Sequence, residues 1–228
     1  EAGKPMEVSE EVIANGDIFG DYIDWRMKHP SDDLMTQLLT AEFEDEAGVM
    51  RTLSRTEVLT YTQVLAGAGN ETTGKLIGWL IKVLADHPDQ RRELVADPLL
   101  IPKAIEETLR FEPIGPHTAR LVMHDVEYHG VTVPKGSAVM MLVGSANRDD
   151  RRHPDPDRFD IHRENGQHLT FGWGPHFCLG ANLARLEGRV ALEEMLRRFP
   201  DWDVDRAGAK LAPTSTVRGW DTLPVVVS

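Results

Sequence analysis

The chain of 228 residues holds one cysteine, Cys178, in the run Phe171-Gly172-Trp173-Gly174-Pro175-His176-Phe177-Cys178-Leu179-Gly180. A lone thiol forms neither an intrachain disulfide nor a four-thiolate zinc site, so any chemistry it has is that of a single thiolate, which points to haem iron, for which a thiolate is one of the known ligands. Gly172 and Gly174 permit backbone conformations and close approaches that a side chain would block, and Pro175 stiffens the segment between them and the sulfur. Gly180 would let a flat macrocycle lie against the chain. Leu179, Ala181, Leu183, Ala184, Leu186, Val190, Leu192, Met195 and Leu196 recur at helical spacing, which sets the sulfur at or just before a helix N-terminus. The dipole there, with the amides of Leu179 and Gly180, would stabilise the charge of a thiolate ligand and temper its electron donation. Taken alone, a single cysteine is most often a small buried apolar residue; the ten-residue pattern is what argues for a ligand.

Two further groups of residues could do chemistry or support it. Leu65-Ala66-Gly67-Ala68-Gly69-Asn70-Glu71-Thr72-Thr73 lies within an apolar stretch from Glu57 to Leu84 that otherwise reads as one helix. Its glycines, asparagine and threonines are poor helix formers, so a local weakening of the hydrogen-bond ladder is expected, with threonine hydroxyls bonding back to the preceding turn. In isolation, Glu71 and Thr72 read equally as a surface pair beside a glycine hinge. Glu107 and Arg110, three apart on a short helix from Ile101 to Phe111, lie on one face and can pair, usually as an exposed contact of little worth.

Together these runs resemble the cytochrome P450 family. The cysteine loop matches at every position the family's haem-binding signature, Phe-Gly-x-Gly-x-His/Arg-x-Cys-x-Gly, and the other two motifs follow in the family's order. The resemblance implies haem b, iron protoporphyrin IX, ligated axially by Cys178, with Phe171, Gly172, His176 and Gly180 shaping the cofactor-binding loop and Arg120 joining His176 as a partner for the propionates. It implies that Thr72 hydrogen-bonds bound dioxygen and that Glu71 relays protons, because reducing oxygen toward water needs protons delivered to one side. It implies a buried structural cluster in which Glu107 and Arg110 are joined by Arg158 of Pro156-Asp157-Arg158-Phe159, a planar guanidinium being suited to grip a carboxylate with two bonds. By position in the family, Val64, Gly67, Ala68, Gly115, Pro116, Thr216 and Val217 would face substrate; they are small or apolar, which suggests a lipophilic molecule, although core packing explains each of them as well. A zinc site of His176 and Cys178 is disfavoured by the absence of a second cysteine or a close second histidine ligand. His87, His124, His129, His153, His162 and His168 sit beside Asp, Pro or Gly and read by default as solvated loop positions.

The elements that must hold these groups form a helical first half and a mixed second half. Helices are expected from Asp17 to Lys28 and from Asp33 to Phe43, the second capped by Ser31 and Asp32. An acidic loop, Glu42 to Gly48, leads to Ser54-Arg55-Thr56-Glu57, a capping box that opens the long helix, which Asp86-His87-Pro88 closes. Strands are expected at Ala119 to Met123, Val126 to Tyr128, Val131 to Val133 and Ala138 to Val143, an irregular polar loop from Asn147 to Gln167, and a hairpin over Thr214 to Val227 turning at Arg218-Gly219. The expected architecture is one mainly α unit with a small β component.

Composition fits a globular cytoplasmic enzyme: 41% of residues are hydrophobic and 27% charged, and no apolar run approaches the length of a membrane span. A formal charge of −12 argues against nucleic acid or an anionic membrane as partner. Arg185, Arg189, Arg197 and Arg198 cluster on the helix after the cysteine, the face which in the family receives a ferredoxin or flavodoxin-like electron donor; a solvated helix face is the equal alternative. The resemblance covers residues 1–228 as the C-terminal haem-binding portion of a cytochrome P450 domain, an incomplete fold whose N-terminal half is absent. Two functions are therefore carried: a bacterial-type haem-thiolate monooxygenase that inserts one atom of O2 into a small lipophilic substrate, and a fragment that is not an enzyme as it stands and oligomerises through exposed apolar faces.

Overall fold

The computed structural model describes residues 18–164, 167–214 and 216–227, which fall into two compact units divided between Ala68 and Gly69. Asp17, expected to open the first helix, lies outside the described residues.

In the first unit, helices α1 (Ile18–Lys28) and α2 (Leu34–Thr40) precede a hairpin of β1 (Glu42–Glu44) and β2 (Met50–Thr52). The cap of α2 is Asp33, not Ser31 or Asp32: its carboxylate accepts the Thr36 amide at 2.9 Å. The helix stops at Thr40 instead of Phe43, and the expected acidic loop is the hairpin, with Phe43 opposite Arg51. Asp45 organises the turn by accepting the amides of Ala47 and Val49, both at 3.0 Å, and Gly48 supplies a φ of +78°. Phe43 is half-buried under the Arg51 guanidinium, 4.6 Å above its ring, a tertiary contact that overrides helical spacing.

The capping box is as expected. The Ser54 amide donates to Glu57 at 2.7 Å, the Glu57 amide donates to the Ser54 hydroxyl at 3.3 Å, and α3 (Arg55–Asp86) follows. The 32-residue helix runs without a break through Gly67 to Thr73. Val58 is anchored in the first unit and Leu76, Leu80 and Leu84 in the second, and burial at both ends outweighs a few weak helix formers between them.

The second unit is built around a core that α3 shares with α4 (Pro88–Ala96), α5 (Ile101–Phe111) and, after a one-turn helix α6 (Val143–Ala146), α7 (Ala181–Arg198). Leu76, Leu80, Val83 and Leu84 of α3 pack with Leu94 of α4, Ile101, Ala104, Ile105 and Leu109 of α5, and Leu192 and Leu196 of α7, at spacings of three and four that bring one face of each helix inward. At Gly188 of α7 an added Cβ would meet Leu76 Cδ2 at 3.3 Å, so the absent side chain permits the close packing of α7 on α3.

The strands form antiparallel pairs: β3 (Thr118–Leu121) with β6 (Ala138–Met141), β4 (Val126–Tyr128) with β5 (Val131–Val133), β7 (Trp202–Val204) with β10 (Val225–Val227), and β8 (Lys210–Leu211) with β9 (Trp220–Thr222). The β4–β5 turn uses positive φ at His129 and Gly130, 49° and 79°, as a two-residue hairpin demands. The expected hairpin over Thr214 to Val227 does not form: β9 and β10 pair with earlier strands instead of with each other. Tertiary packing drives this, because the Arg218 amide donates to Ile114 O at 2.6 Å, the Trp79 indole donates to Arg218 O at 3.2 Å, and Lys75 Nζ donates to Trp220 O at 2.9 Å.

Candidate functional site

The cysteine loop is closed by its own backbone. The Cys178 amide donates to Phe171 O at 2.7 Å, the Gly172 amide to Leu169 O at 2.9 Å, and the Phe177 amide to Gly174 O at 2.9 Å across a 3-10 turn, Gly174–His176. Gly172 and Gly174 have φ of +75° and +62°, and a Cβ at Gly172 would stand 2.9 Å from His176 O. Both positions thus require glycine on backbone grounds. Cys178 O accepts the Ala181 amide at 3.2 Å, which seats the sulfur beside the first turn of α7, whose cap is Gly180. Cys178 is exposed, and so are Trp173, His176, Phe177 and Leu179, the last at 80%.

Gly180 has an ordinary φ of −84°, and a Cβ there would meet nothing within 4 Å. Neither backbone strain nor packing within the chain accounts for it. Space left open beside a sulfur is what a flat thiolate-ligated group needs, and among the described residues no other cluster of His, Cys, Asp or Glu could hold a metal ion. The donor set and the open space therefore fit haem. On α3, Gly69 and Gly74 likewise have nothing within 4 Å of an added Cβ, on the stretch that carries Glu71 and Thr72. Glu71 is exposed with Lys75 Nζ 4.0 Å from its carboxylate, and Thr72 is half-buried.

Arg120 is exposed on β3 and donates to Ala119 O at 2.9 Å and Thr118 Oγ1 at 3.3 Å; among the described residues it pairs with no carboxylate. Of the residues expected to face substrate, Val64, Gly67 and Ala68 are exposed on α3 in the first unit. In the second, Gly115 and Pro116 are half-buried after α5, Thr216 is exposed, and Val217 packs against the core.

The structural cluster behind α5 is present with one member changed. Glu107 and Arg110, 0% and 1% exposed, share two bonds: Nε to Oε2 at 2.7 Å and Nη2 to Oε1 at 2.8 Å. Arg110 also donates to Asn147 O and Pro156 O, each at 2.9 Å. The second arginine is Arg163, not Arg158. Arg163 Nε reaches Glu107 Oε1 at 3.1 Å with a side chain 9% exposed, whereas Arg158 is 63% exposed and pairs outward with Asp155 and Asp160. Burial alternates along this segment, with Phe159 and Ile161 inside, so that Arg163 falls on the inward side and Arg158 on the outward. Arg158 contributes only its carbonyl, which accepts from Arg110 and Arg163 at 3.3 and 2.7 Å.

Two histidines expected in solvent are buried. His153 is 3% exposed beside the cluster, and its desolvation, with the charges of Arg110 and Arg163, pushes its pKa down. His168 is 8% exposed and bonds Glu106 Oε2 through Nε2 at 3.1 Å. Glu106 also takes both ends of the Arg185 guanidinium, at 2.6 and 2.9 Å. Burial would raise the Glu106 carboxyl, yet the bonds from His168 and Arg185 outweigh it and bring the pKa to about 2. The local sequence signal for this group was the doubled acid Glu106-Glu107, of which only the second belongs to the motif. The other arginines of α7 are also paired, Arg189 with Glu193 at 3.5 Å and Arg197 and Arg198 with Glu194 at 2.7 and 2.9 Å, so each candidate docking charge has a carboxylate beside it.

A lone sulfur on a glycine-shaped loop at a helix start, backed by a buried carboxylate–guanidinium cluster, defines a mainly α haem-thiolate protein. Comparison with known proteins gives the family. The cytochrome P450 family model matches residues 22–217. The chain is 41% identical over 210 residues to putative cytochrome P450 123 of Mycobacterium tuberculosis, covering 92% of the chain and 51% of that protein. It is 42% identical over 201 residues to the mycinamicin IV hydroxylase/epoxidase of Micromonospora griseorubida, covering 87% and 49%. The solved structure of cytochrome P450 CYP109Q5 from Chondromyces apiculatus superposes with a TM-score of 0.88 at 41% identity, over 96% of this chain and 56% of that one. The chain belongs to the cytochrome P450 family, whose members bind haem b through a cysteine thiolate. It spans about half the length of the curated relatives it matches, and its fold, helical with small sheets, is an incomplete cytochrome P450 fold.

Proposed function

We propose that this chain is the haem-binding portion of a bacterial-type cytochrome P450 monooxygenase, which inserts one atom of O2 into a lipophilic small molecule using electrons from a ferredoxin or flavodoxin-like donor. The observation that carries this reading is the Cys178 loop: an exposed sulfur fixed by the bond from its amide to Phe171 O, beside the open space at Gly180. When bound, haem supplies oxygen activation and one-electron transfer.

The chain's own residues do the rest. With haem bound, Cys178 would ligate the iron, Arg120 and His176 would bind the propionates, Glu71 would pass protons from its carboxylate, and the Thr72 hydroxyl would hold the receiving site by hydrogen bonding. Lys75, tied to Trp220 O, stands 4.0 Å from that carboxylate. Gly115 and Pro116, half-buried after α5, and the exposed Thr216 are small enough to suit contact with an apolar substrate within the second unit. No helix among the described residues is long and apolar enough to cross a membrane; a cytoplasmic setting is part of the proposal.

A specific observation favours a second reading of the chain by itself. Phe177, Leu179, Leu183, Leu186 and Val190 are exposed large hydrophobics on the cysteine loop and α7, as expected of a fragment that is non-enzymatic alone and associates through those faces. The spectrum of the reduced protein with haem and carbon monoxide separates the two. A thiolate-type Soret band that vanishes in Cys178→Ala supports the first; no haem uptake, or an imidazole-type band, supports the second; and a thiolate-type band that survives Cys178→Ala overturns the ligand assignment.

A further inference from the structure

The Glu106, His168 and Arg185 group lies outside every motif that pointed to the family, yet its atoms lead to the cysteine loop. Arg185 stands one turn into α7 and Glu106 on α5, and their two-bond grip fixes the guanidinium plane. That plane lies over the Phe171 ring, 4.5 Å from guanidinium carbon to ring centroid, and the His168 ring packs against the same ring at 5.9 Å. Phe171 in turn supplies the carbonyl that holds the Cys178 amide.

His168 is oriented from both sides. Its Nδ1 accepts the Thr170 amide at 3.2 Å, so its Nε2 is the nitrogen that donates to Glu106. The Thr170 hydroxyl donates to Leu109 O at 2.7 Å, and the Leu169 amide donates to Asn147 Oδ1 at 2.8 Å. The strand of chain entering the loop is thus pinned to α5 at residues 168 and 170, and to Asn147 at residue 169, before it reaches Phe171.

We propose that Glu106, Arg185 and His168 form a positioning latch that fixes the Phe171 ring and carbonyl, and through them the place of the Cys178 sulfur, so that α5 sets the geometry of the thiolate loop. None of the three side chains bonds the sulfur in the contacts described; they position it through Phe171, and the Arg185 charge is also near enough to act on Cys178. A guanidinium is required because its planar fork holds a carboxylate with both ends while its carbon sits over the ring, a combination an ammonium cannot make. The consequence for haem rests on the proposed function; the consequence for the loop does not.

The test compares Arg185→Lys, Glu106→Gln and, as a control on a surface pair of the same helix, Arg189→Gln, in the chain without haem, by amide hydrogen exchange followed by NMR. The latch predicts that exchange at the Cys178 and Gly172 amides rises about tenfold or more in Arg185→Lys and Glu106→Gln, with amides of the β4–β5 hairpin and the control unchanged. Glu106→Gln, being isosteric, keeps the comparison meaningful if Arg185→Lys unfolds. Exchange at both loop amides within about twofold of the parent in Glu106→Gln overturns the latch, and so does uniform loss of protection across the chain in both variants. With haem and carbon monoxide, the latch further predicts that the same two variants lower the thiolate-type fraction of the spectrum while the control does not. If the unsubstituted chain itself shows no thiolate-type band, the haem reading falls and the exchange data still decide whether the latch exists.

Discussion

Glu107 is a fully buried carboxylate, and what it costs to keep there is settled by which side chains reach it. Arg110 supplies two bonds and Arg163 a third, so removing Arg163 leaves a buried charge with less compensation, while removing Arg158 cuts only exposed pairs. Arg163→Ala is expected to lower stability by about 3 kcal/mol and Arg158→Ala by less than about 0.5 kcal/mol. Urea midpoints measured on the two variants check this, and equal losses would restore Arg158 to the cluster. The two loop glycines separate in the same way. Gly172→Ala forces a side chain into a positive φ and against His176 O, and is expected to cost about 1–3 kcal/mol. Gly180→Ala meets no atom and is expected to change stability by no more than about 1 kcal/mol, the loss of a glycine cap, while lowering haem affinity, measured by titration of the apoprotein against the parent.

At the scale of elements, α5 is the hub, gripping the Asn147 to Arg163 segment through Glu107 and Arg110 and the approach to the cysteine loop through Glu106. Acid should undo both grips in order. The folded pKa of His153 is below its ordinary 6.5, so its contribution is complete above that value and declines as pH falls through it. Glu106 is held near 2 against an ordinary 4.5, so its contribution is present above pH 4.5 and declines as pH falls toward 2. Urea stability is expected to fall first below about pH 6.5 and again below about pH 4.5, with Glu106→Gln making the second step smaller and leaving the first, because Glu57 and Asp149, also held near 2, share the second. These elements also show what a sequence displays. The capping box and the Ile101 to Phe111 helix were legible because their signals are local: a serine and a glutamate three apart, and apolar residues on one face. The β1–β2 hairpin, the pairing of β9 and β10 with earlier strands, and the exchange of Arg158 for Arg163 were not, because each is decided by a contact far along the chain. The backbone turn of the sulfur loop was readable, since Gly172 and Gly174 at fixed offsets state positive-φ requirements directly. Its support from Glu106 and Arg185, 79 residues apart in sequence, was not.

Over the whole molecule, charge and apolar surface oppose each other. A formal charge of −12 makes copies of the chain repel, while Phe177, Leu179, Leu183, Leu186 and Val190 stand exposed on the loop and helix that carry the cysteine. Hydrophobic association is short-ranged and indifferent to screening, whereas repulsion between net charges acts over the screening length, which shrinks from about 30 Å at 0.01 M salt to about 3 Å at 1 M. Association of the chain alone is therefore expected to strengthen as salt is raised over that range, measured as the weight-average sedimentation coefficient at fixed protein concentration. Leu183→Ser with Leu186→Ser, which change two exposed side chains and no core contact, should abolish the rise. Association that weakens with salt would mean instead that the paired arginines and glutamates of α7 open to bridge copies, and the apolar face would then not be what brings them together.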